Sequence, residues 1–252
     1  MDRSVQRPNT PRVARSSIWI AFGLFAILCV LAWGWLLRMQ LLNPGYHRHA
    51  QCMGLAASIG MWIAMMAAMM LPSALPMVPT FSAVTARLEP GSSLLWVVGV
   101  FLTAYLVVWS IFGIGASILE WLLAQQDLIR ESRFADPAFS AGLLALAGAY
   151  QWSGAKNFCL RRCRTPLGFM LAHYAIGWRG ASQLGLRHGA FCVGCCWALM
   201  LLAWVGGAMN LVWMLAMTAF LSIERLLGVR VWLMRASGLA LLGAAVLISV
   251  AA

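Results

Sequence analysis

Apolar positions in this chain run in unbroken blocks of membrane length, with polar or Gly/Pro-marked breaks between them. Residues 18–37 contain no charge at all. About 20 helical residues at ~1.5 Å each reach across the ~30 Å hydrocarbon core of a bilayer. The same pattern predicts helices over about 18–38, 53–71, 94–118, 138–158, 189–206, 210–227 and 231–251. The breaks carry turn chemistry: Asn43-Pro44-Gly45, Pro72-Ser73 followed by Pro76 and Pro79, Glu89-Pro90-Gly91, Pro166, and Gly206-Gly207. Residues 80–93 read as a loop. Residues 119–137 read as a second loop carrying Glu120, Asp127, Glu131 and Asp136. Residues 165–187 mix Phe169, Tyr174 and Trp178 with Arg179 and Arg187, as an interfacial segment does. The expected fold is all-α, a polytopic transmembrane helical bundle of six to seven spans. Residues 1–17 form a basic cytoplasmic tail, and 18–252 a single transmembrane helical domain.

Composition agrees with the pattern. Hydrophobic residues make up 62% of the chain and charged residues 10%, with mean hydropathy +0.83, too little charge for a water-soluble domain of 252 residues. The first apolar run is long for a signal-peptide core and no small-residue cleavage site follows it, so it reads as a retained helix. A net charge of +11 suggests nucleic acid until its distribution is examined. With the N-terminus cytoplasmic, Arg3, Arg7, Arg12, Arg15, Arg87, Lys156, Arg161, Arg162, Arg164, Arg179, Arg187, Arg225, Arg230 and Arg235 fall on one side of the bundle. Only Arg38, Arg48, Arg130 and Arg133 fall on the other. That is a positive-inside bias, so the cations read as topology signals and lipid-headgroup contacts rather than a nucleic-acid surface. An Arg-rich loop at about 156–188 belongs to the cytoplasmic side.

Charge placement also puts the clustered cysteines on the cytoplasmic side. Five of seven fall in two clusters, Cys159-x-x-x-Cys163 and Cys192-x-x-Cys195-Cys196. On a helix, His188, Cys192, Cys196 and Met200 recur every four residues, with Cys195 three after Cys192, so imidazole, thiols and thioether share one face over roughly 18 Å. Thiolate and thioether donors favour Cu(I), with Zn²⁺ the alternative at the thiol-rich end. Lys156, Arg161, Arg162 and Arg164 flank Cys159 and Cys163 and are expected to lower their thiol pKa values. If the helices bearing the two clusters pack antiparallel, two to four thiols meet. A lone cysteine is usually just a small apolar packing residue. Three in five positions beside a second pair weaken that reading.

Six of fifteen methionines, Met61, Met65, Met66, Met69, Met70 and Met77, fall within 17 positions. Methionine commonly fills core gaps, but beside a cysteine-bearing helix the row reads as a path for a soft ion. Met209, Met214 and Met217 add thioethers toward the outer side, and Pro72 and Pro76 are expected to break their own helix and free carbonyls where it lines a cavity. Glu224 is an intramembrane acid and so a functional candidate as a charged partner of the site, with pairing to its sequence neighbour Arg225 at the interface the alternative account. His47 and His49 lie in the first outer loop. No phosphate-binding Gly-rich loop and no nucleophile–base pair is present, so ATP-driven transport and enzymatic catalysis by this chain are not expected. The alternatives to copper handling are a membrane thiol–disulfide oxidoreductase built on Cys192-x-x-Cys195, a haem or iron–sulfur carrier, and a structural subunit of a membrane complex.

Three stretches resemble signatures of a bacterial family of predicted metal-binding integral membrane proteins. The first is Tyr150-Gln151, Lys156, Cys159-Leu160, Cys163-Arg164 and Pro166. The second is Arg187-His188-Gly189, Cys192, Gly194-Cys195-Cys196-Trp197 and Leu199-Met200. The third is Met61-Trp62, Met65, Ala68-Met69-Met70, Pro72-Ser73 and Pro76-Met77, with Met209-Asn210, Trp213-Met214 and Glu224 beyond it. The resemblance covers about residues 53–227. It implies a metal-binding protein of the bacterial inner membrane, with a metal chaperone or metalloenzyme as the natural partner class.

Overall fold

The computed structural model describes residues 12–42, 54–89, 92–130, 133–208, 210–226 and 231–251. In chain order its helices are α1 Arg12–Leu42, α2 Leu55–Ala74, α3 Met77–Leu88, α4 Leu94–Ala124, α5 Pro137–Gln151, α6 Gly154–Arg164, α7 Pro166–His173, α8 Gly177–Leu201, α9 Ala203–Gly206, α10 Leu211–Leu226 and α11 Val231–Ala251. A two-residue antiparallel ladder, β1 Ile129–Arg130 on β2 Arg133–Phe134, interrupts them. The fold is all-α. Among the described residues four stretches are long and apolar enough to cross a membrane: Leu55–Ala74, Leu94–Ala124, Gly177–Gly206 and Trp232–Ala251. A shorter apolar stretch is Phe22–Arg38 within α1.

Helix α8 is the centre of the bundle, packed along α4 with α6 on another face. Its buried positions step by three and four through Ala181, Leu184, His188, Cys192, Cys195, Leu199 and their neighbours, the stripe a 3.6-residue period produces. Glycine makes the α4–α8 approach close. A Cβ at Gly185 would collide with the Phe101 carbonyl oxygen, and one at Gly189 would stand 2.9 Å from Val108 Cβ. Helix α2 covers the other side of α4, α10 lies on α2, and α5 pairs with α11.

Several element boundaries differ from the sequence expectation: α1 begins at Arg12, inside the expected tail, and α4 runs on to Ala124, into the expected loop. Helix α2 runs through Pro72 to Ala74. The missing N–H of Pro72 leaves the Ala68 carbonyl without its helical donor, and the Trp33 indole N–H supplies one at 2.9 Å. Residues 77–88, expected within or beside a loop, are helical because their prolines sit where prolines are harmless. Pro76 is the N-cap of α3 and Pro79 lies in its first turn, where backbone N–H groups have no intrahelical acceptor. The expected 138–158 span is split at Trp152–Ser153, since the Ser153 hydroxyl caps α6 by accepting the Lys156 N–H at 3.1 Å. Helix α8 begins at Gly177, well before residue 189, so the cysteines lie inside the helix rather than at its start. Gly177 takes φ +81°, a left-handed value suited to glycine, and its N–H donates to both carboxylate oxygens of Glu89 at 3.1 Å. Tyr174 donates to the same carboxylate at 2.7 Å, and burial with Glu89 alongside pushes its phenol up to about 12.

Candidate metal site: a buried thiol cluster

The α8 stripe and the short helix α6 bring four cysteines together. Cys192, Cys195 and Cys196 are buried on α8, and Cys163 is buried on α6. The Cys163 thiol faces Cys192 and Cys195 closely enough for the three to interact electrostatically. Cys195 and Cys196 turn back to donate to the Cys192 carbonyl at 3.0 and 3.1 Å. Cys159 is one turn back on α6 and half-buried against α8, where a Cβ at Gly194 would stand 2.8 Å from its sulfur. The Tyr150 hydroxyl donates to the Gly194 carbonyl, fastening the end of α5 to the same point. The two sequence clusters therefore form one spatial cluster.

Three further helices close over it. From α4, the Tyr105 hydroxyl meets Cys192 Sγ at 3.1 Å and donates to the Met70 carbonyl at 3.1 Å. From α2, Ser73 lies 3.3 Å from the Tyr105 hydroxyl. From α10, Arg225 reaches in with Nη2 3.1 Å from Cys196 Sγ and 3.4 Å from Cys195 Sγ, while its Nη1 donates to Ser73. Arg225 is 5% exposed, so a guanidinium sits inside the core against sulfur.

Two expectations about charge need correction. Glu224 does not pair with Arg225. Its carboxylate is 2.9 and 3.0 Å from Lys156 Nζ, and its carbonyl accepts from Arg164. Neighbouring residues on a helix project about 100° apart, so Glu224 and Arg225 face different partners. Lys156 and Arg225 are therefore core residues rather than interfacial cations. Nor do the flanking cations lower the Cys159 thiol: burial pushes it up, Cys195 adds to the rise, and Arg162 offsets it only in part. The Arg162 guanidinium stacks on Phe158 and Phe191, at 4.0 and 4.8 Å from their ring centroids.

His188 is buried one turn before Cys192, among Phe101, Tyr105 and Phe169, and its Nδ1 has no hydrogen-bond partner. Met200 is buried one turn beyond Cys196. Met61, Met65, Met66, Met69, Met70, Met77 and Met214 are all buried. The α2 row leads to the cluster through Met70, whose carbonyl touches both Tyr105 and Ser73. At the other end of the row the Trp62 indole donates to Glu120, a buried carboxylate that the sequence places in a loop but that belongs to the last turns of α4. Met209, His47 and His49 lie outside the described residues.

Among the described residues no group of three or more His, Cys, Asp and Glu is arranged to hold a metal ion. Sites that demand three or four such ligands around one point, as tetrahedral zinc does, are thus not preformed here. Cu(I) is a different case. It accepts as few as two sulfur donors, and thiols with thioethers nearby are the chemistry it prefers.

Tyr105, Ser73, Lys156 and Arg225 were not on the sequence-derived list of candidate donors. Lys156, the chain's only lysine, stood in a family signature, and Arg225 stood beside Glu224.

Residues 59–248 match the model of the PpoB2 family, described as copper chaperone. No curated protein matches the chain significantly, and no solved structure does.

Proposed function

The chain belongs to the PpoB2 copper-chaperone family, and from that premise we propose that it is a multi-pass protein of the bacterial inner membrane that binds Cu(I) in its thiol cluster and hands it on. Cys159, Cys163, Cys192, Cys195 and Cys196 are the thiol donors, with His188 and Met200 auxiliary. The buried methionines of α2 and Met214 line the approach. The observation that carries this reading is the meeting of Cys163, Cys192, Cys195 and Cys196 inside a bundle of membrane-length helices, walled by soft and aromatic side chains. Thiol ligands exchange a soft monovalent ion by associative steps, one sulfur replacing another, so a cluster richer in sulfur than the ion needs can pass it on. The recipient would be a metallochaperone or a copper enzyme.

In this reading α1, α2, α4, α5, α8 with α9, α10 and α11 cross the bilayer, and the N-terminus is cytoplasmic. With Lys156 and Arg225 turned inward, twelve of the remaining sixteen cations still fall on that side, so the bias holds. Thiol–disulfide exchange is disfavoured, because the charge bias puts the clustered cysteines on the cytoplasmic side, whereas disulfide chemistry serves the oxidising one. The test is copper content of the purified, reduced protein. Wild type is expected to retain copper and Cys192→Ser/Cys196→Ser to lose it. Equal copper stoichiometry in the two would remove the proposal.

A further inference from the structure

The thiol cluster contains a fixed positive charge. Arg225 is buried, its Nη2 spans the sulfurs of Cys195 and Cys196, and its Nη1 is held by Ser73. Its Nε has no hydrogen-bond partner. The nearest acid in sequence, Glu224, is committed to Lys156. Among the described residues no carboxylate is paired with the guanidinium, and its field falls on the sulfurs where a metal would bind.

We propose that Arg225 is the charge-selectivity determinant of this cluster, admitting a soft monovalent cation and rejecting divalent ions such as Zn²⁺. The inference rests on the reading of the cluster as a metal site and goes beyond it by naming the residue that chooses among metals. Two thiolates, one Cu(I) and Arg225 sum to a neutral assembly in an apolar interior. The same two thiolates with Zn²⁺ and Arg225 leave a net positive charge, which is costly to bury. Repulsion from a fixed cation scales with the charge of the incoming ion. At a separation of about 5 Å and an effective dielectric of ~20, the second unit of charge weakens divalent binding on the order of a hundredfold. The donor arrangement already lacks a preformed tetrahedral zinc site, and Arg225 adds a discrimination by charge that thiolate softness does not supply, since thiolate is also a good zinc ligand.

The experiment measures Cu(I) and Zn²⁺ affinity of the full-length, reduced protein in detergent, each by competition with a chelator. Arg225→Gln is expected to raise the Zn²⁺ affinity relative to Cu(I) by about a hundredfold, and Arg225→Lys to keep the wild-type ratio. Ser73→Asp leaves Arg225 in place and cancels its charge, so it is expected to shift the ratio in the same direction and covers the case in which Arg225→Gln does not fold. A ratio unchanged in the folded neutralised variants, with Cu(I) still bound and lost on Cys192→Ser/Cys196→Ser, overturns the selectivity role and leaves the copper site standing. Absence of Cu(I) binding by wild type overturns both.

Discussion

Glu224 and Arg225 are neighbours on α10, both buried, and they meet opposite fates. Glu224 is closed off by a complementary charge: Lys156 holds its carboxylate at 2.9 and 3.0 Å, and Arg164 takes its carbonyl. Among the described residues Arg225 is hydrogen-bonded to the Cys195 and Cys196 thiols and the Ser73 hydroxyl. A buried charge with a matched partner is a fastener, here joining α6 to α10 and so fixing Cys163 against α8. A buried charge without one is held at a cost, and under the proposal above it faces the sulfurs that bind the metal ion.

The contrast can be broken at either residue. The largest effect is expected from Lys156→Met, which strands Glu224 in the core and should destabilise the protein by about 3–5 kcal/mol, whereas Lys156→Met/Glu224→Leu should recover most of that loss. Thermal unfolding in detergent measures both, and a single variant as stable as the double would remove Lys156–Glu224 as a fastener. Next is Gly194→Ala, whose methyl would press on Cys159 Sγ. A loss of about 1–3 kcal/mol is expected, with weaker copper retention because α6 is displaced. Arg225→Met should cost least among the core changes, about 1 kcal/mol or less, because it leaves no opposite charge behind. A loss as large as that of Lys156→Met would mean that Arg225 too is a fastener. The smallest effect lies away from the cluster. Folding holds the Tyr174 phenol neutral up to about 12 against an ordinary 10.0, so stability present below pH 10 falls as pH rises toward 12, and Tyr174→Phe should flatten that fall.

The helical character and the α8 stripe were legible in the sequence, because length, hydropathy and a 3.6-residue period are local properties. The joining of the two cysteine clusters was legible only conditionally, as a consequence of helix packing. Arg225 and Lys156 were not legible. An Arg or Lys near the end of an apolar helix has the same sequence appearance whether it snorkels to headgroups or turns inward, and only the neighbouring helices decide. The prolines misled for a similar reason. Pro76 and Pro79 usually signal a break, yet at the N-cap and first turn of α3 they start a helix, and the carbonyl freed by Pro72 found its donor in Trp33, 35 residues away in sequence. Glu120 appeared to be a loop acid because α4 runs further than its apolar block suggested.

The central claim, that the buried sulfurs are copper ligands, is tested most directly by copper K-edge X-ray absorption on the loaded, reduced protein. The account predicts a Cu(I) edge with sulfur as the dominant nearest scatterer, and loss of that shell in Cys192→Ser/Cys196→Ser. Copper coordinated mainly by nitrogen and oxygen, unchanged by the double substitution, would contradict it.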